Sequence, residues 1–155
     1  MTSPSTVGLT VPGFSAACTG APFHLLSQRG KNLVLYFYPK DNTPGCTTEG
    51  QNFRDLHSEF AQANTVVFGI SRDSLKSHEN FKSMMTFPFE LISDPDEAVC
   101  LIFGVMKMKT MYGKQVRGVE RSTFLIDLAG VMRREWRGVK VPGHAAEVLE
   151  AARAL

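Results

Sequence analysis

The segment Tyr38-Pro39-Lys40-Asp41-Asn42-Thr43-Pro44-Gly45-Cys46-Thr47-Thr48-Glu49 puts a thiol and a hydroxyl three residues apart, with a proline and a glycine between them. Thr43 suits a helix N-cap, and Pro44 suits the first helical position, where its missing N–H costs nothing. Cys46 then falls in the first turn of a helix. Free N–H groups and the positive end of the helix dipole favour a thiolate over a thiol there. Cysteines in such positions drop from a pKa of about 8.5 to roughly 3.5–7.5 and become nucleophiles at neutral pH. The plain alternative is a small core residue, because Cys46 also precedes Phe53 and Phe60 on one helical stripe.

The flanking elements must hold that turn in place. Lys31 to Tyr38 contains the run Leu-Val-Leu-Tyr-Phe-Tyr, which suits a strand buried on both faces, and Pro39 ends it. Residues 44–63 read as one helix, with Phe53, Leu56, Phe60 and Ala63 as its buried stripe. Cys46 thus lies at the carboxyl end of a buried strand, where open α/β sheets gather their ligands. A strand is expected over Thr65 to Ile70, a helix near 74–86, a short strand at Glu90 to Ile92, and a short helix from Asp96 to Phe103 capped by Asp94 or Ser93. A Met- and Lys-rich loop follows. Strands at Ser122 to Asp127 and Val131 to Trp136 then form a hairpin, and a closing helix starts near His144. Residues 1–32 carry turn signals and small strands. The order predicts an α/β chain, one domain over 1–155, with a mixed central sheet flanked by helices and extra strands at the N-terminus. It is compatible with a thioredoxin-like fold.

Composition removes several classes of function. Three cysteines, Cys18, Cys46 and Cys100, are too few for a disulfide framework and match no zinc spacing. His24, His57, His78 and His144 are scattered, so no metal site is expected. Residues 1–100 carry 7 basic and 10 acidic groups and residues 101–155 carry 10 and 5. The basic second half has no recognition motif, so no nucleic-acid binding is expected. Apolar runs are too short to cross a bilayer. Met1 to Gly8 lacks the pattern of a secretory signal, so a cytoplasmic location is the expectation. Met106, Met108 and Met111, near Tyr112, are read as core filling, with lining of the pocket mouth as the alternative, and Trp136 as packing.

The spacing Pro39-x-x-x-Thr43-x-x-Cys46 resembles the active-site signature of the peroxiredoxins. The longer string from Phe37 to Thr47, with Glu49 and Phe53-Arg54-Asp55, is similar to the bacterioferritin-comigratory-protein (PrxQ) group. Similarity continues at Gly69-Ile70-Ser71, Leu91-Ile92-Ser93-Asp94, Phe103-Gly104-Val105 and Arg121 to Asp127. The resemblance implies a thioredoxin-like fold and a thiol peroxidase. It implies that Cys46 attacks the peroxide, Thr43 hydrogen-bonds it, Pro39 shields the thiolate, and Arg121 supplies the cation, with Arg117 a weaker competitor. Backbone N–H groups at Gly45 and Cys46 would help bind the substrate. Hydrogen peroxide and organic hydroperoxides are the expected substrates, with no cofactor.

Gln51 stands where many members of this group keep a resolving cysteine, and Asn80-Phe81-Lys82-Ser83 holds none either. The expectation is a one-cysteine enzyme, monomeric or weakly dimeric, reduced by thioredoxin, glutaredoxin or a small thiol. Resolution by Cys100 or Cys18 is the alternative, as is a redox sensor or holdase that turns over once. A disulfide oxidoreductase is disfavoured, because Cys46-Thr47-Thr48-Glu49 has no second thiol.

Overall fold

A computed structural model describes residues 6–155, so the start of the polar Met1 to Gly8 stretch lies outside the described residues. The central strand is β3 (Asn32–Phe37), buried along its whole length. It pairs in parallel with β4 (Thr65–Ser71) and antiparallel with β8 (Ser122–Ile126). Beyond β4 lies β5 (Glu90–Ser93), and beyond β8 lies β9 (Met132–Arg137). Two short N-terminal strands, β1 (Ser15–Cys18) and β2 (Phe23–His24), extend the edge at β5. The seven-stranded order is β2-β1-β5-β4-β3-β8-β9, which makes the sheet mixed.

Alternation along β3 divides the core in two. Val34, Tyr36 and Tyr38 pack with Phe53 and Phe60 and with α3 (Leu75–Met85) and α5 (His144–Arg153). Leu33, Leu35 and Phe37 pack on the other face with α4 (Ala98–Phe103) and the N-terminal residues Val11, Phe23 and Leu25. Phe53 stacks on Tyr36 at 4.6 Å and is fully buried, so truncating it to Ala costs about 3–5 kcal/mol.

Three expectations need correction. Residues 44–63 do not form one helix: α1 (Pro44–Asp55) ends at Leu56, and α2 (His57–Gln62) follows. The apolar stripe survives the break because both pieces still bury an aromatic, Phe53 and Phe60. The Met- and Lys-rich loop is a hairpin of β6 (Met106–Met111) and β7 (Lys114–Val119), turning at Tyr112 and Gly113, both with positive φ (53° and 76°). Two left-handed central residues define the type I′ turn that matches strand twist. Finally, only Met106 of that group packs against the core; Met108, Met111 and Tyr112 are exposed. Trp136 does pack, edge-on to the His144 ring.

Candidate active site

β3 delivers the chain to the site, and Tyr38 to Thr43 turn it into α1. Asn42 adopts a left-handed conformation (φ 61°), which an Asx side chain tolerates. Thr43 occupies the N-cap with extended backbone, and Pro44 opens the helix. The Thr43 hydroxyl does not cap the helix N–H groups; it donates to the Lys40 carbonyl at 2.8 Å. That bond fixes the rotor and leaves the oxygen's lone pairs free to accept. Pro39 is half-buried beside this turn.

Cys46 sits in the first turn of α1, 1% exposed, at the outer end of the stripe that holds Phe53. Arg121 reaches it from the residue preceding β8. Register explains the meeting: β8 is antiparallel to β3 with Ser122 opposite Phe37, so the start of β8 lies at the carboxyl end of β3. Arg121 Nη2 lies 3.5 Å from Cys46 Sγ, and Nη1 donates to Glu49 Oε1 at 2.6 Å. Gly45 makes room for the guanidinium, since a Cβ there would come within 3.1 Å of Nη2. Burial works against the Arg121 charge, but Glu49 and Cys46 outweigh it and raise its pKa.

Glu49 is the site residue that motif reading did not assign. It is 1% exposed, one helical turn after Cys46, and burial pushes its carboxyl up to about 7 against the pull of Arg121. Its Oε2 is buried without a hydrogen-bond partner. The i, i+3 spacing from Cys46 was visible in sequence, but a glutamate in a first helical turn reads equally well as a surface group complementing the dipole.

The other candidates are elsewhere. Arg117, on β7, forms an ion pair with Glu97. Gln51 donates weakly to the Met85 sulfur at the end of α3, at 3.9 Å. Cys18 and Cys100 are buried in the core cluster on the opposite face of the sheet from Cys46. Burial, with Glu90 adding, pushes the Cys18 thiol up to about 12. Burial beside Asp94 raises Cys100 further still. The short helix α4 begins at Ala98, not Asp96, and its N-cap is Glu97 in a left-handed conformation (φ 66°), not Asp94 or Ser93; Asp94 accepts from the N–H groups of Val99 and Cys100 from further up the chain.

Residues 7–135 match the AhpC/TSA family. Peroxiredoxin Bcp of Xanthomonas campestris is 54% identical over 87% of this chain and 84% of its own length. Peroxiredoxin Bcp of Bacillus subtilis is 48% identical over 84% and 83%. Among solved structures, a mutant of PrxQ from Xylella fastidiosa superposes with a TM-score of 0.92 at 46% identity, covering 98% of both chains. The bacterioferritin comigratory protein of X. campestris gives 0.87 at 51%, covering 91% and 90%. The chain therefore belongs to the AhpC/TSA family, in its peroxiredoxin Bcp (PrxQ) branch, and is a thiol-dependent peroxidase. Peroxide is its substrate and a thiol its reductant. Among the described residues, no helix is long and apolar enough to cross a membrane.

Proposed function

We propose that Cys46 is the peroxidatic nucleophile and that the chain works as a single-domain, one-cysteine peroxidase. The observation that carries this reading is the Arg121 guanidinium 3.5 Å from a sulfur held at a helix N-terminus. A fixed cation at that distance stabilises the thiolate and, later, the charge on the departing oxygen. The Cys46 thiolate attacks one peroxide oxygen and the O–O bond breaks. The departing oxygen takes a proton and leaves as water or alcohol, and Cys46 becomes a sulfenic acid. Arg121 and the N–H groups of Gly45 and Cys46 stabilise the departing oxygen. Thr43, its own proton engaged by the Lys40 carbonyl, accepts from the peroxide O–H. Pro39 keeps water from the sulfur.

Recycling then draws on an external thiol. Cys18 and Cys100 lie across the sheet in the other core cluster, and neither Gln51 on α1 nor the stretch Asn80-Phe81-Lys82-Ser83 on α3 offers a resolving thiol. The incoming thiolate attacks the sulfenic sulfur, water leaves, and a second thiol reduces the mixed disulfide. Thioredoxin, a glutaredoxin or a small thiol fits this role. Substrates are hydrogen peroxide and organic hydroperoxides; the X. campestris relative is described by its alkyl peroxide reduction activity. Three free thiols suit a reducing compartment such as the cytoplasm. We read the protein as a monomer or weak dimer.

Intact-mass and peptide mapping after one equivalent of hydrogen peroxide tests this. A sulfenic acid trapped on Cys46 and absent from Cys46→Ser is expected. A Cys46–Cys100 or Cys46–Cys18 disulfide overturns the one-cysteine account, and an unreactive Cys46 overturns the assignment of the nucleophile.

A further inference from the structure

A second group of buried polar side chains adjoins the loop that carries Thr43 and Cys46. Asp41 Oδ1 accepts from the Tyr38 hydroxyl at 2.6 Å. Its Oδ2 accepts from Ser77 Oγ at 2.8 Å and lies 2.7 Å from His78 Nδ1. The other ring nitrogen of His78, Nε2, lies 3.0 Å from the Ile92 carbonyl oxygen. His78 is completely buried and Asp41 nearly so. The Asp41 backbone N–H donates to Asp73 Oδ2 at 2.9 Å, and Ser71 Oγ donates to the same oxygen at 2.5 Å.

A carbonyl oxygen can only accept, so Nε2 carries a hydrogen. Asp41 accepts from Tyr38 and Ser77 on its two oxygens and faces Nδ1 at 2.7 Å, a pattern that an ionised carboxylate paired with a doubly protonated ring satisfies. Burial and neighbouring negative charge keep the Tyr38 phenol protonated, which preserves its role as donor. The titratable groups facing the imidazole are Asp41 and Tyr38 from the β3 side and Asp73 from the end of β4; β5 offers only the Ile92 carbonyl. Asp41, Asp73 and His78 are close enough to suggest a cation site. Yet two ligands about 2.0 Å from a tetrahedral ion stand roughly 3.3 Å apart. The 2.7 Å separation of Asp41 and His78 is a hydrogen bond instead.

We propose that His78 is a positioning residue for the peroxidase reaction: as a buried imidazolium it clamps Asp41, and through Asp41 the active-site turn, onto α3. The link is short. Asp41 is two residues from Thr43, and the left-handed Asn42 between them makes the direction of the turn depend on where Asp41 is held. The inference rests on Cys46 being the nucleophile, but the charge state of His78 does not.

Two measurements on the full chain test it. Nitrogen NMR of the reduced, histidine-labelled protein, assigned with His78→Gln, reports the ring directly; both nitrogens protonated at neutral pH is the expected result, and a neutral tautomer overturns the proposal. Stopped-flow oxidation of Cys46 by hydrogen peroxide is then compared among wild type, His78→Gln, Asp41→Asn and the double variant. Each single variant should slow the reaction about tenfold to a hundredfold, the scale of misplacing a reacting group by about an ångström. The double variant should lose no more than either single, and the ultraviolet titration of the Cys46 thiolate should stay in place. Unchanged rates in folded variants, or losses that simply multiply, overturn the clamp. A wild-type Cys46 inert to peroxide overturns the nucleophile reading and the positioning role with it, whatever the NMR reports.

Discussion

Cys46 and Cys100 are buried to nearly the same degree, both on helices, on opposite faces of one sheet. What separates them is the sign of the neighbouring charge. Cys46 has the Arg121 guanidinium at 3.5 Å. Burial raises the Cys100 thiol pKa, and the Asp94 carboxylate, which accepts from the Cys100 N–H, adds to the rise. Cys18 sits near Glu90 and behaves like Cys100. Burial alone makes a cysteine an inert small hydrophobe; one well-placed cation beside the buried sulfur is what the nucleophilic role proposed for Cys46 requires.

The largest effect should come from exchanging the thiols one at a time. Cys46→Ser should abolish peroxide consumption, while Cys18→Ser and Cys100→Ser together should retain it within about threefold in the folded variant, because both lie across the sheet from Cys46. Steady-state turnover with a thioredoxin system and with a small thiol measures this. If the Cys18/Cys100 double variant reacted once and then stalled, the far face would be supplying the resolving thiol.

Removing the cation comes next. Arg121→Lys keeps the charge but loses the fork that holds Cys46 and Glu49 at once, so it is not conservative. Losing one preorganised donor to a developing negative charge costs about 10²–10³ in rate. Stopped-flow oxidation of Cys46 should fall by that order. A change below about tenfold would mean that the helix N-terminus alone activates the thiol and that the contrast with Cys100 rests on position, not on charge.

The pair of faces also explains what the sequence made legible. β3, β4 and β8 were readable because strands buried on both sides write continuous apolar runs, such as Leu33 to Tyr38. Thr43-Pro44 marked the start of α1 because capping chemistry is local. The interruption at Leu56 was not readable, since Phe53 and Phe60 keep helical spacing across it. The β6–β7 hairpin was missed because Tyr112-Gly113 lacks the Asn or Asp that usually marks a type I′ turn, although Met106-Lys107-Met108-Lys109 does alternate with a period of two. Glu49 and the Asp41–His78 pair were hidden for another reason. Polar residues in a helix turn or loop read as solvated, and only tertiary packing reveals that they are buried.

Glu49 supplies the smallest effect, and it is a matter of sign. Burial raises its carboxyl to about 7, so the folded chain holds that proton more tightly than the unfolded chain, whose glutamates titrate near about 4.3. Its contribution to stability is full below about 4.3 and is lost as pH rises through about 7. His144 runs the other way. Burial lowers its imidazole to about 4, with Glu147 opposing and Arg121 assisting, so its contribution is present above about 6.5 and is lost as pH falls through about 4. Between about 4.3 and 6.5 the two slopes oppose each other, and the wild-type profile is flattened. Glu49→Gln removes one slope while leaving an amide oxygen for Arg121. Its stability relative to wild type should therefore worsen on acidification from about pH 7 to about pH 5, by on the order of 2 kcal/mol. Urea midpoints at the two pH values measure the difference. Parallel profiles for variant and wild type would mean that Glu49 stays ionised across the window, and the Glu49–Arg121 pair would then be a fixed support for the Cys46 site, without a proton to exchange.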